Sequence, residues 1–318
     1  MTELSVQPNV TSPARGGRIV LNRNERILIG LLAGATVLCV ALAALKGQAV
    51  AWGAFGLTLV PSLGLFAAGQ YIRMKKNQPN LAHLAIANSL YLGFTGATTL
   101  LIYLRFPVTV ALFDQQLERV DAALGYSWPD FVQTVATYPE IARILAVVYH
   151  SSLPQLFVLI AVLALTGRIG QLHRALLAGS LGLLLTTLIW WLAPSIGPSA
   201  FFSIPAETAE AMNLVTNMQY GAYLRQLVDH GLPVISPTDI VGTIAFPSYH
   251  TVMALLMIWY LRGTVLFLPA LALNLAMVPA ILSHGGHYLT DMAGGIATFA
   301  IAAWLAGKLA SDPRPAAR

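Results

Sequence analysis

At 318 residues, 57% of them hydrophobic and only 10% charged, the chain is too apolar for a soluble domain. Apolar runs of about 20 residues, the length that crosses a bilayer, recur along it. The formal net charge of +5 comes from Lys and Arg scattered between those runs rather than gathered into a patch, which argues against a nucleic-acid partner and for membrane topology as their cause. The lone Cys39 lies inside the first run, so neither a disulfide framework nor a cysteine metal site is available.

Residues 1–25 are polar, with Pro, Gly and Arg15, Arg18 and Arg23, and read as a disordered cytoplasmic tail. Three spans are expected at about 27–45, 49–71 and 81–104, grouped as an N-terminal unit over 26–104, with Pro61 kinking the second. Residues 105–140 alternate apolar and charged positions, with Leu117, Val120 and Leu124 against Asp114, Glu118 and Asp121. That pattern predicts an amphipathic stretch lying at the membrane interface. A catalytic core is expected over 141–308, with spans at about 141–166, 175–193, 246–262, 264–283 and 288–308, and active-site loops at 194–250 and 283–291. Residues 309–318 form a short second tail. The fold expected is all-α and polytopic, with eight spans and both ends on one side. The tails and the loops at 73–76, 168–174 and Arg262 hold 13 of the 18 basic residues, which predicts a chain in the cell (inner) membrane with this side cytoplasmic and the opposite side facing the periplasm or exterior.

The chemistry concentrates in two runs on the opposite side. The first is Ala245-Phe246-Pro247-Ser248-Tyr249-His250-Thr251; the second, His284-Gly285-Gly286-His287-Tyr288-Leu289-Thr290-Asp291, places a histidine 37 residues after His250. An ionisable group at the mouth of an apolar span is a functional-site candidate. His287 and Asp291, four apart, fall on one helical face, where a carboxylate can orient an imidazole as nucleophile or base. His250 can then protonate a departing group. Ser248 suits either a helix N-cap or a phosphate ligand. Gly285 and Gly286 make a flexible corner that lets a ligand approach the backbone, and His284 is a spectator. The run Pro194 to Phe202, with Gly197 and Pro198, is either an exit loop or an anion wrap. Arg225, the one basic residue of 194–244, is either a solvated surface group or the cation of a phosphate site. His150, beside Tyr149 in the outer half of the fourth span, reads as a satisfied buried histidine rather than a ligand, and His83, His173 and His230 carry no sharper reading. Because the histidines do not fall into a zinc spacing such as H-E-x-x-H, no metal and no cofactor is expected.

Pro247-Ser248-Tyr249-His250 followed by His287-Tyr288-Leu289-Thr290-Asp291 resembles the second and third motifs of the type 2 phosphatidic acid phosphatase superfamily, over about 190–308. The likeness is nearer to the branch of inositol phosphorylceramide synthase and sphingomyelin synthase, whose third motif ends His-Tyr-x-x-x-Asp. The resemblance implies His287 as phosphoryl acceptor, Asp291 as its orienting acid, His250 as acid for the leaving group, and Tyr249 within the substrate-binding motif. The superfamily's Lys-x6-Arg-Pro motif is missing, its place taken by Pro194 to Phe202, and the usual Ser-Arg seven residues before the histidine is Ala280-Ile281. The expectation is a metal-independent membrane enzyme acting on a lipid phosphate as phosphatase or phosphotransferase, with the bilayer as its surroundings and its oligomeric state open. A transporter or a non-catalytic membrane protein is the rival; the first would place ionisable groups at mid-membrane, and the second would not use His250, His287 and Asp291 together.

Overall fold

Capping chemistry sets where the first helix begins. Asn22 accepts from the Glu25 amide (2.8 Å), Glu25 accepts in return from the Asn22 amide (3.0 Å), and helix α1 runs Arg23–Lys46 until Gly47 stops it in a left-handed conformation. The computed structural model describes residues 19–310; most of the tails expected at 1–25 and 309–318 lie outside the described residues. After α1 come α2 (Trp52–Lys75), which carries Pro61 in its interior, α3 (Pro79–Tyr103), α4 (Asp114–Ala123), α5 (Trp128–Ala136), α6 (Pro139–His150), α7 (Ser152–Leu165) and α8 (Ile169–Leu192). Then follow α9 (Ala206–Met212), α10 (Met218–His230), α11 (Tyr249–Tyr260), α12 (Phe267–Ser283) and α13 (Leu289–Leu309). A two-residue parallel pair, β1 (Ala49–Val50) with β2 (Val234–Ile235), ties the α1–α2 turn to the long region after α10, with Ala49 opposite Val234.

The helices are all-α as expected, but their lengths differ from the eight-span pattern. Among the described residues α1, α2, α3, α8 and α13 are each long and apolar enough to cross a membrane, and α5 with α6 makes a sixth candidate bent by 116°. The span expected over 141–166 is broken at Ser151 into α6 and α7, with Pro154 in the first turn of α7, where a missing N–H costs nothing. The span expected at 246–262 is a helix of only 12 residues, about 18 Å against a hydrocarbon core of about 30 Å. Its start is set by Ser248, whose hydroxyl accepts from the Thr251 amide, so the first histidine run stays outside regular helix up to that point.

The bundle has two ends. At one, which is the more basic, Arg73 of α2 reaches Glu25 of α1 through both guanidinium nitrogens (2.8 and 2.6 Å), and Arg168 donates to the backbone carbonyls of Arg262 and Gly263. His83 and His173 close on the same carboxylate, and the ligand-type atoms of Glu25, His83 and His173 all lie within 4.8 Å of one another. The Arg73 guanidinium supplies the positive charge there. At the other end Lys46 caps the carbonyls of Leu104 and Phe106 (2.6 and 2.7 Å), and the 194–202, 239–250 and 284–291 segments meet. One apolar cluster, containing Leu28, Leu163, Leu172, Leu256 and Ala306, fills the half nearer the basic end; two others pack under the loops.

Candidate active site

The second histidine run folds around a carboxylate rather than along a helix. His287 lies just outside α13 and Tyr288 is the residue that caps it. The Asp291 Oδ2 accepts from the Tyr288 amide (2.9 Å) and lies 3.0 Å from His287 Nδ1. The pair expected from a four-residue spacing is therefore made, but by helix-capping geometry and not by two residues on one helical face. Both are buried, His287 at 3% exposure and Asp291 at 0%. Nδ1 is turned to the carboxylate, and the ring also hydrogen-bonds the Ala245 backbone, which fixes its orientation.

Ser248, also fully buried, serves as N-cap of α11, and its amide donates to the Asp291 carbonyl (3.0 Å). This seam is narrow. A Cβ on Gly295 would sit 2.5 Å from the Ser248 carbonyl oxygen, and one on Gly294 would sit 2.5 Å from the Phe246 ring, so two glycines of α13 let the first run lie directly on it. His250, in the first turn of α11, is thereby brought to His287, with ring centroids 6.0 Å apart and planes at 66°. Its other side stacks on Tyr149 of α6 at 4.6 Å and 27°. Tyr249 points away from the pair and donates to the Gly179 carbonyl (3.0 Å).

The 194–202 segment forms the third wall. Ser195 accepts from the Phe246 amide through its hydroxyl (2.7 Å) and from the Ala245 amide through its carbonyl (3.2 Å). Gly197, at φ +84°, touches the second run backbone to backbone: a Cβ there would be 2.5 Å from the Gly286 carbonyl oxygen. Gly286 has φ +59° itself, and Pro198 opens a buried 3₁₀ turn. His284 is buried and held on both ring nitrogens, by Ser283 Oγ (2.9 Å) and the Met212 carbonyl (3.0 Å), which places it in the frame. Arg225 stands on the exposed face of α10, away from the apolar side formed by Leu224, Leu227 and Val228.

Two residues that the sequence reading assigned to an interfacial surface are central to this frame. Asp114 and Asp121, seven apart on α4, are each 2% exposed. Asp114 accepts from the amides of Ile196 and Gly197, the latter at 2.8 Å, and burial pushes its carboxyl up to about 7 against those hydrogen bonds. Asp121 accepts from the amides of Leu289 (2.5 Å) and Thr290 (2.9 Å) and from the Thr290 hydroxyl. One helix thus fixes both the loop that carries Gly197 and the N-terminus that carries Asp291. It also takes up the amides that would otherwise attract an anion at those two places. Leu117, between the two acids and buried with them, is the signal in the sequence: acids sharing a stripe with a core leucine are not on a water-facing side.

The arrangement supplies a buried, carboxylate-oriented imidazole beside a second imidazole, a geometry that can serve as nucleophile and proton donor in transfer of an acyl or phosphoryl group. Neither a curated protein nor a solved structure matches the chain. A family match does cover residues 115–305, more than half of the length, and it takes in every helix from α5 to α12 with nearly all of α4 and α13. The chain therefore belongs to the PAP2 superfamily, whose members are generally phosphatases or phosphotransferases.

Proposed function

We propose that this is a membrane enzyme that cleaves or transfers the phosphate of a membrane lipid through a covalent phosphohistidine on His287. The observation that carries the reading is the His287–Asp291 hydrogen bond with His250 facing it at 6.0 Å between centroids. In the first step His287 Nε2 attacks phosphorus, the P–N bond forms, and the bond from phosphorus to the lipid oxygen breaks. The departing oxygen takes its proton from His250, and Asp291 stabilises the imidazole as it becomes cationic. In the second step an incoming hydroxyl returns a proton to His250 and attacks phosphorus, which releases His287. Water as the incoming group makes the enzyme a phosphatase; a lipid hydroxyl makes it a synthase of the inositol phosphorylceramide and sphingomyelin type.

Three features support the synthase branch as the reading of this site. The His-Tyr-x-x-x-Asp ending is present; the Lys-x6-Arg-Pro and Ser-Arg cations are replaced by Pro194 to Phe202 and Ala280-Ile281; and the amides of Ile196, Gly197, Leu289 and Thr290 are held by Asp114 and Asp121, not by cations. No step calls for a metal. With the more basic end cytoplasmic, the site faces the periplasm or exterior. Purified protein given a panel of lipid phosphates and phosphodiesters, with and without a lipid alcohol acceptor and with and without chelator, tests this. Turnover that survives chelation and disappears in His287→Ala is expected; turnover that a folded His287→Ala protein retains contradicts it.

A further inference from the structure

Beside His250 lies a cleft of about 310 Å³, bounded by α3, α7, α8, α11 and the loop 240–244, with His250 itself among its walls. On α3, Tyr91, Thr95, Thr99 and Tyr103 recur every four residues, so one stripe about 18 Å long faces it. Most polar groups on this wall are already engaged. The hydroxyls of Thr95 and Thr99 donate to carbonyls of their own helix (2.9 and 2.8 Å). Tyr103 accepts from the Val241 amide (2.7 Å), and Tyr249 donates to Gly179. Thr186 of α8 differs: it is fully buried, and its hydroxyl has no hydrogen-bond partner among the described residues.

We propose that this cleft holds one hydrocarbon chain of the lipid whose phosphate reacts at His287, with an oxygen of the chain's linkage meeting Thr186. The proposal rests on the lipid-phosphate reading and adds to it where the chain goes and what α3 is for, since α3 lies outside the family match. The chemistry selects the occupant. A self-satisfied, largely apolar wall would leave the many donors and acceptors of a sugar or peptide unmatched, whereas a hydrocarbon chain with one polar linkage matches it. The volume is at the low end of small-molecule sites, about 300–1,000 Å³, which fits one chain and not two. A narrower apolar extension of about 40 Å³, sharing Tyr91, Thr95, Leu183 and Tyr249, prolongs the cleft toward Leu172.

The full chain in lipid nanodiscs is assayed with linear alkyl monophosphates of graded length, reading kcat/KM for long against short chains. Each methylene taken into the cleft is worth about fourfold, so the ratio climbs with length and then levels off. Thr99→Phe puts a ring into the wall and is expected to lower the long-to-short ratio by about tenfold or more, while Thr99→Val keeps it. A folded Thr99→Phe protein with an unchanged ratio overturns the cleft. A second readout does not depend on turnover: an alkyl phosphate with a mid-chain diazirine is photolysed on the wild-type protein and the labelled peptide mapped. Label on residues 91–103 supports the cleft, even where no lipid phosphate is turned over and the enzymatic reading fails. Label on the facing walls at 183–186, 240–244 or 249–253 supports it likewise; label confined to residues outside these walls overturns the cleft, whatever the activity.

Discussion

The two ends of α8 hold the same residue types and use them in opposite ways. At the N-terminal end His173 joins His83 and Glu25, and Arg73 completes the group with two hydrogen bonds to the carboxylate. Charge is cancelled within the cluster, and every member is tied to another helix. Past the C-terminal end, Asp114, Asp121 and Asp291 find backbone amides, a threonine hydroxyl and one imidazole as partners. There the carboxylates hold loops, and the two imidazoles of His250 and His287 lie side by side. On the proposed reading, the contrast accounts for a site that takes an anion without the cations usual in the superfamily: its acids are met by backbone amide dipoles, not by Lys or Arg.

The largest effect should come from separating nucleophile from orienting acid. Asp291→Asn is expected to keep the fold and lower kcat on the order of 10⁴-fold, because the amide cannot stabilise an imidazolium. His250→Ala should lose about 10²–10⁴-fold, and the loss should shrink with substrates whose leaving groups need no proton. A His250→Ala deficit equal for good and poor leaving groups would remove His250 from the proton-donor role.

At the basic end the equivalent disruption should act on stability alone. Arg73→Ala strands the carboxylate of Glu25, which is 1% exposed, and should cost about 3–5 kcal/mol in a melting experiment, with kcat at a permissive temperature near wild type. A large kcat loss without a fall in Tm would contradict the division between the ends.

Asp121→Ala sits between these cases. It leaves the first amides of α13 without their acceptor, for about 1–3 kcal/mol, and lets His287 and Asp291 drift. Its signature should be a lower kcat with KM near wild type. An unchanged kcat would mean that the α13 N-terminus holds its position without α4.

The remaining effect is a slope. Burial raises the Asp114 carboxyl from its ordinary 3.8 to about 7, so folding favours its protonated form. Its contribution to stability is present below about pH 4 and is lost as pH rises through about 7. Asp114→Asn should flatten the dependence of Tm on pH between those limits; an equal slope in both proteins would assign it to other groups.

How much of this was legible in the chain follows from which residues break a pattern. His250, His287 and Asp291 stand out because ionisable groups at the mouths of apolar runs have few bland explanations, and their contact follows from spacing even though the capping geometry does not. Asp114 and Asp121 were hidden because an acid on an amphipathic helix ordinarily faces water; only their sharing a stripe with Leu117 argues otherwise. Tyr149, which stacks on His250, lies in an apolar run where an aromatic carries no signal. The break at Ser151 was marked by Ser151-Ser152-Leu153-Pro154, but hydropathy reads straight through a serine pair. The shortness of α11 was masked in the same way, since apolar residues continue on both sides of the helix proper.

The central claim is that phosphate rests covalently on His287. Rapid quenching of the wild-type protein with a lipid phosphate labelled at phosphorus, followed by peptide mapping under alkaline conditions that preserve phosphohistidine, tests it directly. The account predicts label on the peptide containing His287, none in His287→Ala, and retained label in His250→Ala with a substrate whose leaving group needs no proton. Turnover with label on His250, or with no labelled protein under any quench, would contradict it.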